Sequence, residues 1–255
     1  MSELTVVMSG FDRYDGVDVN PALEVPRMLA AAPIDVDGVI VRIHPVVLPV
    51  SFANAWPALR ETIEATHPDI VIATGLKREA RGVMLERCAT NLMDASRPDA
   101  DNATPRREPI DPSGPAAYWT RLPLRSILKD FAGDGIPASL SSDAGTFVCN
   151  SLFYSLLAWT STQDRVLSGF VSLPCVAAGE GAAGAGAGDG VLGAGDAVPG
   201  AGVLGAGDAV PGAGVPSPAA PRGLTLARLT DAVRDVVCET VRYHRAPSSG
   251  DVILV

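Results

Sequence analysis

DIVIATG, Asp69–Gly75, is a continuous apolar, β-branched run closed by a glycine. A strand with one wet face would alternate polar and apolar residues. This one does not, so both of its faces are expected to be covered. Leu4–Ser9 (LTVVMS, ending at Gly10), Ile136–Leu140 and Val166–Leu173 read the same way. Val39–Val50 is apolar but interrupted by Pro45 and Pro49, and Met84–Leu92 is a further candidate strand. Stretches of helical spacing lie between these runs. Asn20-Pro21 offers a cap and a first turn, with Pro26 expected to kink that helix or delay its start. Ala55–Thr66 carries Leu59 and Ile63, Ala116–Ala132 reads as a helix, and Phe147–Trp159 sets Leu152, Leu156 and Trp159 along one face. Leu224–Tyr243 is a long amphipathic helix. Strands alternating with helices predict an α/β fold, a three-layer α/β/α sandwich with a mainly parallel, mixed and twisted sheet. Ligands of such sheets sit at the carboxyl ends of the strands. Gly10–Gly16, the loop after Gly75 and the loop Ser141–Thr146 are therefore expected at one rim.

The chain has 255 residues, 47% apolar and 19% charged, which excludes wholesale disorder. A net charge of −9 argues against a nucleic-acid or anionic-membrane binder. Four cysteines form no C-x-x-C pair, and with three scattered histidines they give no zinc spacing; no motif asks for a metal or another cofactor. The opening MSELTVVMSGFDRYDG has neither a basic region nor a long apolar run, so it reads as no signal peptide and no membrane span, and the expected location is cytoplasmic. One segment differs in kind. Residues 177–221 hold 14 Gly, 14 Ala and 5 Pro with no aromatic residue, and VLGAGDAVPGAG at Val191–Gly202 repeats letter for letter at Val203–Gly214. Such a composition cannot bury enough surface to offset chain entropy, so it reads as a flexible insertion with a tandem 12-residue repeat. Residues 1–176 and 222–255 are then a single domain.

Cys149, in SSDAGTFVCNSLFYSLLAW, falls between a strand and an apolar helix. A cysteine at a helix N-terminus gains thiolate character, and the same free amides can hold an oxyanion. A free cysteine is also simply a small buried hydrophobe. From position alone both readings stand.

S-D-A-G-T-F-V-C-N-S-L-F-Y resembles the nucleophile segment of the type I pyroglutamyl peptidases (pyrrolidone-carboxylate peptidases), cysteine enzymes that remove an N-terminal pyroglutamate. Five more segments resemble that family in order: Ser9–Pro21, Pro68–Leu76, Leu85–Asn91, Glu108–Tyr118 and Gly135–Ser141. The resemblance covers nearly all of the chain outside the insertion. It implies that Cys149 is the nucleophile and Glu86 the carboxylate that orients a histidine. It puts Phe11 and Tyr14 on the two aromatic positions that flank the lactam ring, and Asn20 on an Asn near that loop, a position that a helix cap explains equally well. The implied partner is a pyroglutamyl peptide or related small molecule, and self-association into a homo-oligomer is implied too.

The pattern breaks at one decisive place. Where the family has a segment like G-F-x-H-V-P, this chain has Gly169–Pro174, GFVSLP, with Ser172 at the histidine position. A serine has no accessible pKa near 7 and is no ordinary general base. His44, His67 and His244 are not natural substitutes. The family's Gly-Gly-Arg turn is Arg78, Glu79 and Ala80 here, the second glycine of its first loop is Asp15, and its Asp-Ala-Arg becomes Asp94-Ala95-Ser96-Arg97, with the arginine one step out of register. Three functions follow: a pyroglutamyl-peptidase-like cysteine hydrolase acting through Cys149, a catalytically impaired or inactive binding protein on the same fold, or an interaction protein in which the Ala/Gly segment is a linker.

Overall fold

The computed structural model describes residues 2–13, 16, 17, 19–177 and 224–246. The insertion with its repeat, expected at 177–221, lies outside the described residues apart from Ala177, as does Tyr14. The strands are β1 (Ser2–Phe11), β2 (Ile34–Val36), β3 (Val39–Leu48), β4 (Ile70–Leu76), β5 (Val83–Glu86), β6 (Cys88–Thr90), β7 (Ala117–Trp119), β8 (Ala138–Ser141) and β9 (Leu167–Leu173). The helices are α1 (Pro21–Leu29), α2 (Ala55–Thr66), α3 (Leu124–Gly133), α4 (Val148–Ser161) and α5 (Leu226–Arg245).

Seven strands form one sheet in the order β2-β3-β1-β4-β9-β5-β8. The block β3-β1-β4-β9 is parallel, β5 runs antiparallel to β9, and β8 is parallel to β5. This is the mixed, mainly parallel sheet expected, with helices on both faces. In β4, Ile70 and Ile72 join a core with residues of α1, α3 and α5, while Val71 and Ala73 join a second core with residues of α2 and α4. Both faces are thus buried, which is why DIVIATG shows no polar alternation. Among the described residues, no helix is long and apolar enough to cross a membrane.

Helix α1 does not break at Pro26. Asn20 caps it through its side-chain oxygen, which accepts from the Ala22 amide at 3.1 Å, and it runs on through Pro26 to Leu29. Proline lacks the N–H that would have bonded Ala22 O. The Thr74 hydroxyl stands in for it, set between Ala22 O at 3.0 Å and Ser9 O at 2.9 Å. Pro45 is tolerated in β3 because it lies beyond the reach of β2, where one side of β3 is open.

Two other expectations are corrected. Met84–Leu92 is not one strand. β5 ends at Glu86, Arg87 carries the chain out of the main sheet, and β6 pairs antiparallel with β7 in a separate two-stranded sheet. Ala116–Ala132 is not one helix. Ala117–Trp119 form β7, and the helix starts only after Pro123, because the residue before a proline is pushed out of helical geometry.

Candidate active site

The carboxyl ends of β1, β4 and β9 and the start of α4 enclose a cavity of about 350 Å³. Phe11, Asp12, Val17 and Asn20 line it from the first loop, Leu76–Glu79 from the turn after β4, and Asp143–Gly145 from the loop after β8. The three loops expected at one rim do meet there. Phe147, Val148, Cys149 and Ser172 complete the wall, with Val50 and Arg97.

Strand register decides which side chains face Cys149. Gly75 is paired with Ser172 across β4 and β9, and Glu86 is paired with Phe170 across β5 and β9. Paired residues present their side chains to the same face, and residues two apart in a strand share a face. Gly75, Phe170, Ser172 and Glu86 therefore all point toward the α4 side. A methyl group on Gly75 would lie 3.0 Å from Cys149 Sγ and 2.7 Å from the Phe170 ring, so the glycine is what lets the thiol settle onto the sheet. Glu86 is fully buried. Its Oε1 accepts a hydrogen bond from the Ser172 hydroxyl at 2.7 Å, while its Oε2 has no hydrogen-bond partner among the described residues.

Cys149 is the second residue of α4, and Phe147 before it has no side chain able to cap the first-turn amides. Those amides face the cavity end of the helix and are suited to an oxyanion. The expected thiolate character is not found. Burial, with Glu86 beside it adding to the effect, pushes the Cys149 thiol up to about 12, against the opposing pull of Arg97 and Lys77. Burial also raises Glu86, with the hydroxyls of Ser141 and Ser172 and the charge of Lys77 working the other way. Alkylation of Cys149 by iodoacetamide should therefore climb about tenfold per pH unit from pH 7 to pH 10 without levelling, read against a Cys149→Ala control. A plateau below pH 9 would reveal a thiolate that this site does not favour.

Of the residues singled out in the sequence, Cys149, Ser172, Phe11 and Asn20 share the cavity wall, and Glu86 lies beneath it. Asn20 is both cap and strut. Its amide donates to Phe11 O at 2.8 Å and Asp12 O at 3.2 Å while its oxygen caps α1. Arg97, out of register by sequence, nevertheless lines the cavity and stands 5.2 Å over the Phe147 ring. The loop that carries it is held by Thr146, whose hydroxyl donates to Asp94 O at 2.6 Å. Asn150 was not singled out. Its side chain accepts from Thr90 N at 3.0 Å and donates to Thr90 O at 2.9 Å and Leu92 O at 3.0 Å, tying the segment after Glu86 to the turn of α4 that carries Cys149. A buried amide just after a candidate nucleophile was the available signal. His44 and His67 are exposed and His244 lies on α5; none lines the cavity.

A family model described as pyroglutamyl peptidase matches residues 4–187. A pyrrolidone-carboxylate peptidase of Bacillus licheniformis is 38% identical over 170 residues, 66% of this chain and 77% of the relative. One from Pseudomonas fluorescens is 40% identical over 169 residues, 66% of this chain and 78% of the relative. Among solved structures, pyroglutamyl peptidase I of Bacillus amyloliquefaciens superposes with a TM-score of 0.71 at 27% identity, covering 94% of this chain and 98% of that one.

Proposed function

This chain belongs to the pyroglutamyl peptidase family, and from that premise we propose that it is a cysteine hydrolase removing N-terminal pyroglutamate from peptides through Cys149. The observation that carries the reading is the seat of Cys149 at the head of α4, pressed onto Gly75 in the same cavity as Ser172 and above the buried Glu86. The sulfur attacks the carbonyl carbon that links the pyroglutamyl residue to the rest of the peptide. The first amides of α4 receive the oxyanion, the amine leaves, and water releases the thioester. Phe11 flanks the flat neutral lactam ring, and the resemblance assigns the second aromatic position to Tyr14. Asn20 acts by holding that loop to α1. Val17, Val50 and Phe147 add apolar wall suited to the ring's methylene edge. The four free cysteines suit a reducing compartment, in keeping with a cytoplasmic protein, and the reading includes the homo-oligomer that the resemblance implies.

The test is an assay of the purified full chain with a chromogenic pyroglutamyl amide beside Cys149→Ala. Turnover that disappears in the variant is the expected result. No turnover, with pyroglutamate still bound in a calorimeter, would give the non-catalytic binding protein instead.

A further inference from the structure

Resting on that reading, we propose that Ser172 and Glu86 together replace the missing imidazole: the Ser172 hydroxyl accepts the Cys149 thiol proton while passing its own proton to Glu86. Three observations converge on this relay. The Ser172 hydroxyl already donates to Glu86 Oε1 at 2.7 Å, so its proton is aimed at the carboxylate and its lone pairs are left for a donor in the cavity. The register of Gly75 with Ser172 and the 3.0 Å approach of Cys149 Sγ, from α4, to the Gly75 position put the thiol over the sheet face from which the neighbouring Ser172 hydroxyl projects. Finally, Glu86 is fully buried and, among the described residues, its Oε2 has no hydrogen-bond partner, so burial outweighs the help that the Ser141 and Ser172 hydroxyls give its charged form. A carboxylate so poorly solvated gains by taking a proton, which makes it a stronger base than one in water. The raised affinity of Glu86 for its proton agrees with this.

Among the described residues, no other group on the cavity wall is as well placed. Lys77 and Arg97 are cations without an acceptor lone pair. Asp12, Glu79 and Asp143 are exposed on its solvent side.

The protons balance at each step. In acylation the S–C bond forms as the thiol proton moves to Ser172 Oγ and the Ser172 proton moves to Glu86 Oε1. The C–N bond then breaks, and the same two transfers in reverse deliver a proton to the leaving amine. In deacylation a water O–H gives its proton along the same route while its oxygen attacks the thioester. The C–S bond breaks, and the proton returns to sulfur. The sum is amide plus water giving free pyroglutamate plus amine, with Cys149, Ser172 and Glu86 restored.

The relay is tested on the full chain with a pyroglutamyl amide in mixtures of H₂O and D₂O. In the parent chain, two protons in flight should bow the plot of kcat against deuterium fraction. Ser172→Ala should lower kcat by about 10²-fold with KM within a factor of two, and should straighten that plot. Ser172→Thr, which keeps the hydroxyl, should recover most of the rate. Glu86→Gln should move two readouts in opposite directions. Turnover should fall by about 10²-fold or more, while alkylation of Cys149 by iodoacetamide should speed up, because the charge that opposes the thiolate is gone. A merely structural role for Glu86 would slow both. Cys149-dependent turnover that survives Ser172→Ala at the parent rate overturns the relay and leaves the hydrolase reading intact. Absence of Cys149-dependent turnover in the parent chain overturns both.

Discussion

A Ser172→His variant should turn over a pyroglutamyl amide faster than the parent chain, by up to about 10²-fold, because general-base catalysis is typically worth about 10²–10⁴-fold in all and the relay through Ser172 already supplies about 10² of it. Position 172 is fixed by pairing on both sides, to Gly75 of β4 and to Met84 of β5, so a new side chain there leaves the backbone in a set direction toward the α4 face. The side chain opens onto a cavity of about 350 Å³, with room for a ring. Glu86 supplies an acceptor 2.7 Å from the present hydroxyl and a second oxygen without a partner among the described residues, so an imidazole N–H finds a carboxylate that fixes its tautomer. The other ring nitrogen then faces Cys149. An imidazolium beside the sulfur favours the thiolate directly and draws the thiol down from about 12. The gain must vanish in the Cys149→Ala background, because the imidazole acts only through sulfur. Arg78 and Glu79 line the same cavity, at positions where the resemblance implies glycines, so the measurement is made a second time with Arg78–Ala80 changed to Gly-Gly-Arg. No gain in either background, with the melting temperature unchanged, would mean that the cavity does not hold the substrate against Cys149.

The fold was legible where one physical rule governs a whole element. DIVIATG and GFVSL are apolar without alternation because each is sandwiched, and the period of 3.6 in the last helix buries Leu229, Val233, Val236, Val237 and Val241 as a single stripe. Legibility failed where a run changes partners midway. Met84–Leu92 reads as a continuous strand, yet Glu86 belongs to the large sheet and Cys88 to the two-stranded sheet, and only tertiary pairing separates them. The Asp37-Gly38 turn between β2 and β3, both residues at positive φ, is a hairpin signal that the apolar run beside it hid. At the site, residue types and order pointed to Cys149, Glu86 and Ser172, but their energetics did not follow from position. A helix N-terminus favours an anion by about 0.3–1 kcal/mol. At Cys149 burial, reinforced by the Glu86 charge, outweighs it. Sequence spacing likewise misplaced Arg97, since a residue one step out of register on a loop still reaches the same wall through a long side chain.

Gly10→Ala should destabilise the protein by about 3–5 kcal/mol. The methyl group would sit 1.5 Å from Ala22 O and 2.5 Å from Ala22 C, a backbone clash that no rotamer relieves. Neither partner is free to yield. β1 is pinned by parallel pairing on both sides, Gly10 to Val47 and Ser9 to Ala73. α1 is pinned by the Asn20 cap and by Thr74, whose hydroxyl reaches the Ala22 carbonyl left open by Pro26. Overpacking typically costs about 1–3 kcal/mol, occasionally more. Lifting α1 to relieve the clash also strands a buried carbonyl, worth about 1–3 kcal/mol more. For a domain of this size each kcal/mol lowers Tm by about 2–4 °C, so a drop of roughly 6–20 °C is expected. Gly133→Ala is the matched control: nothing lies within 4 Å of the added methyl, and it sits in a helix, so stability should hold or rise slightly. Adding Pro26→Ala to Gly10→Ala separates the two costs. It returns an N–H to Ala22 O but leaves the clash, so most of the loss should persist. A Tm within a few degrees of the parent for Gly10→Ala would show that α1 does not press on β1 as closely as the geometry requires. Because Phe11 follows Gly10 directly and Asn20 both caps α1 and holds Phe11 O, any lift of the helix drags with it the cavity wall proposed to bind the ring. Surviving Gly10→Ala protein should accordingly lose affinity for the pyroglutamyl ring before Cys149 loses its seat over Gly75, and KM should rise ahead of any fall in kcat.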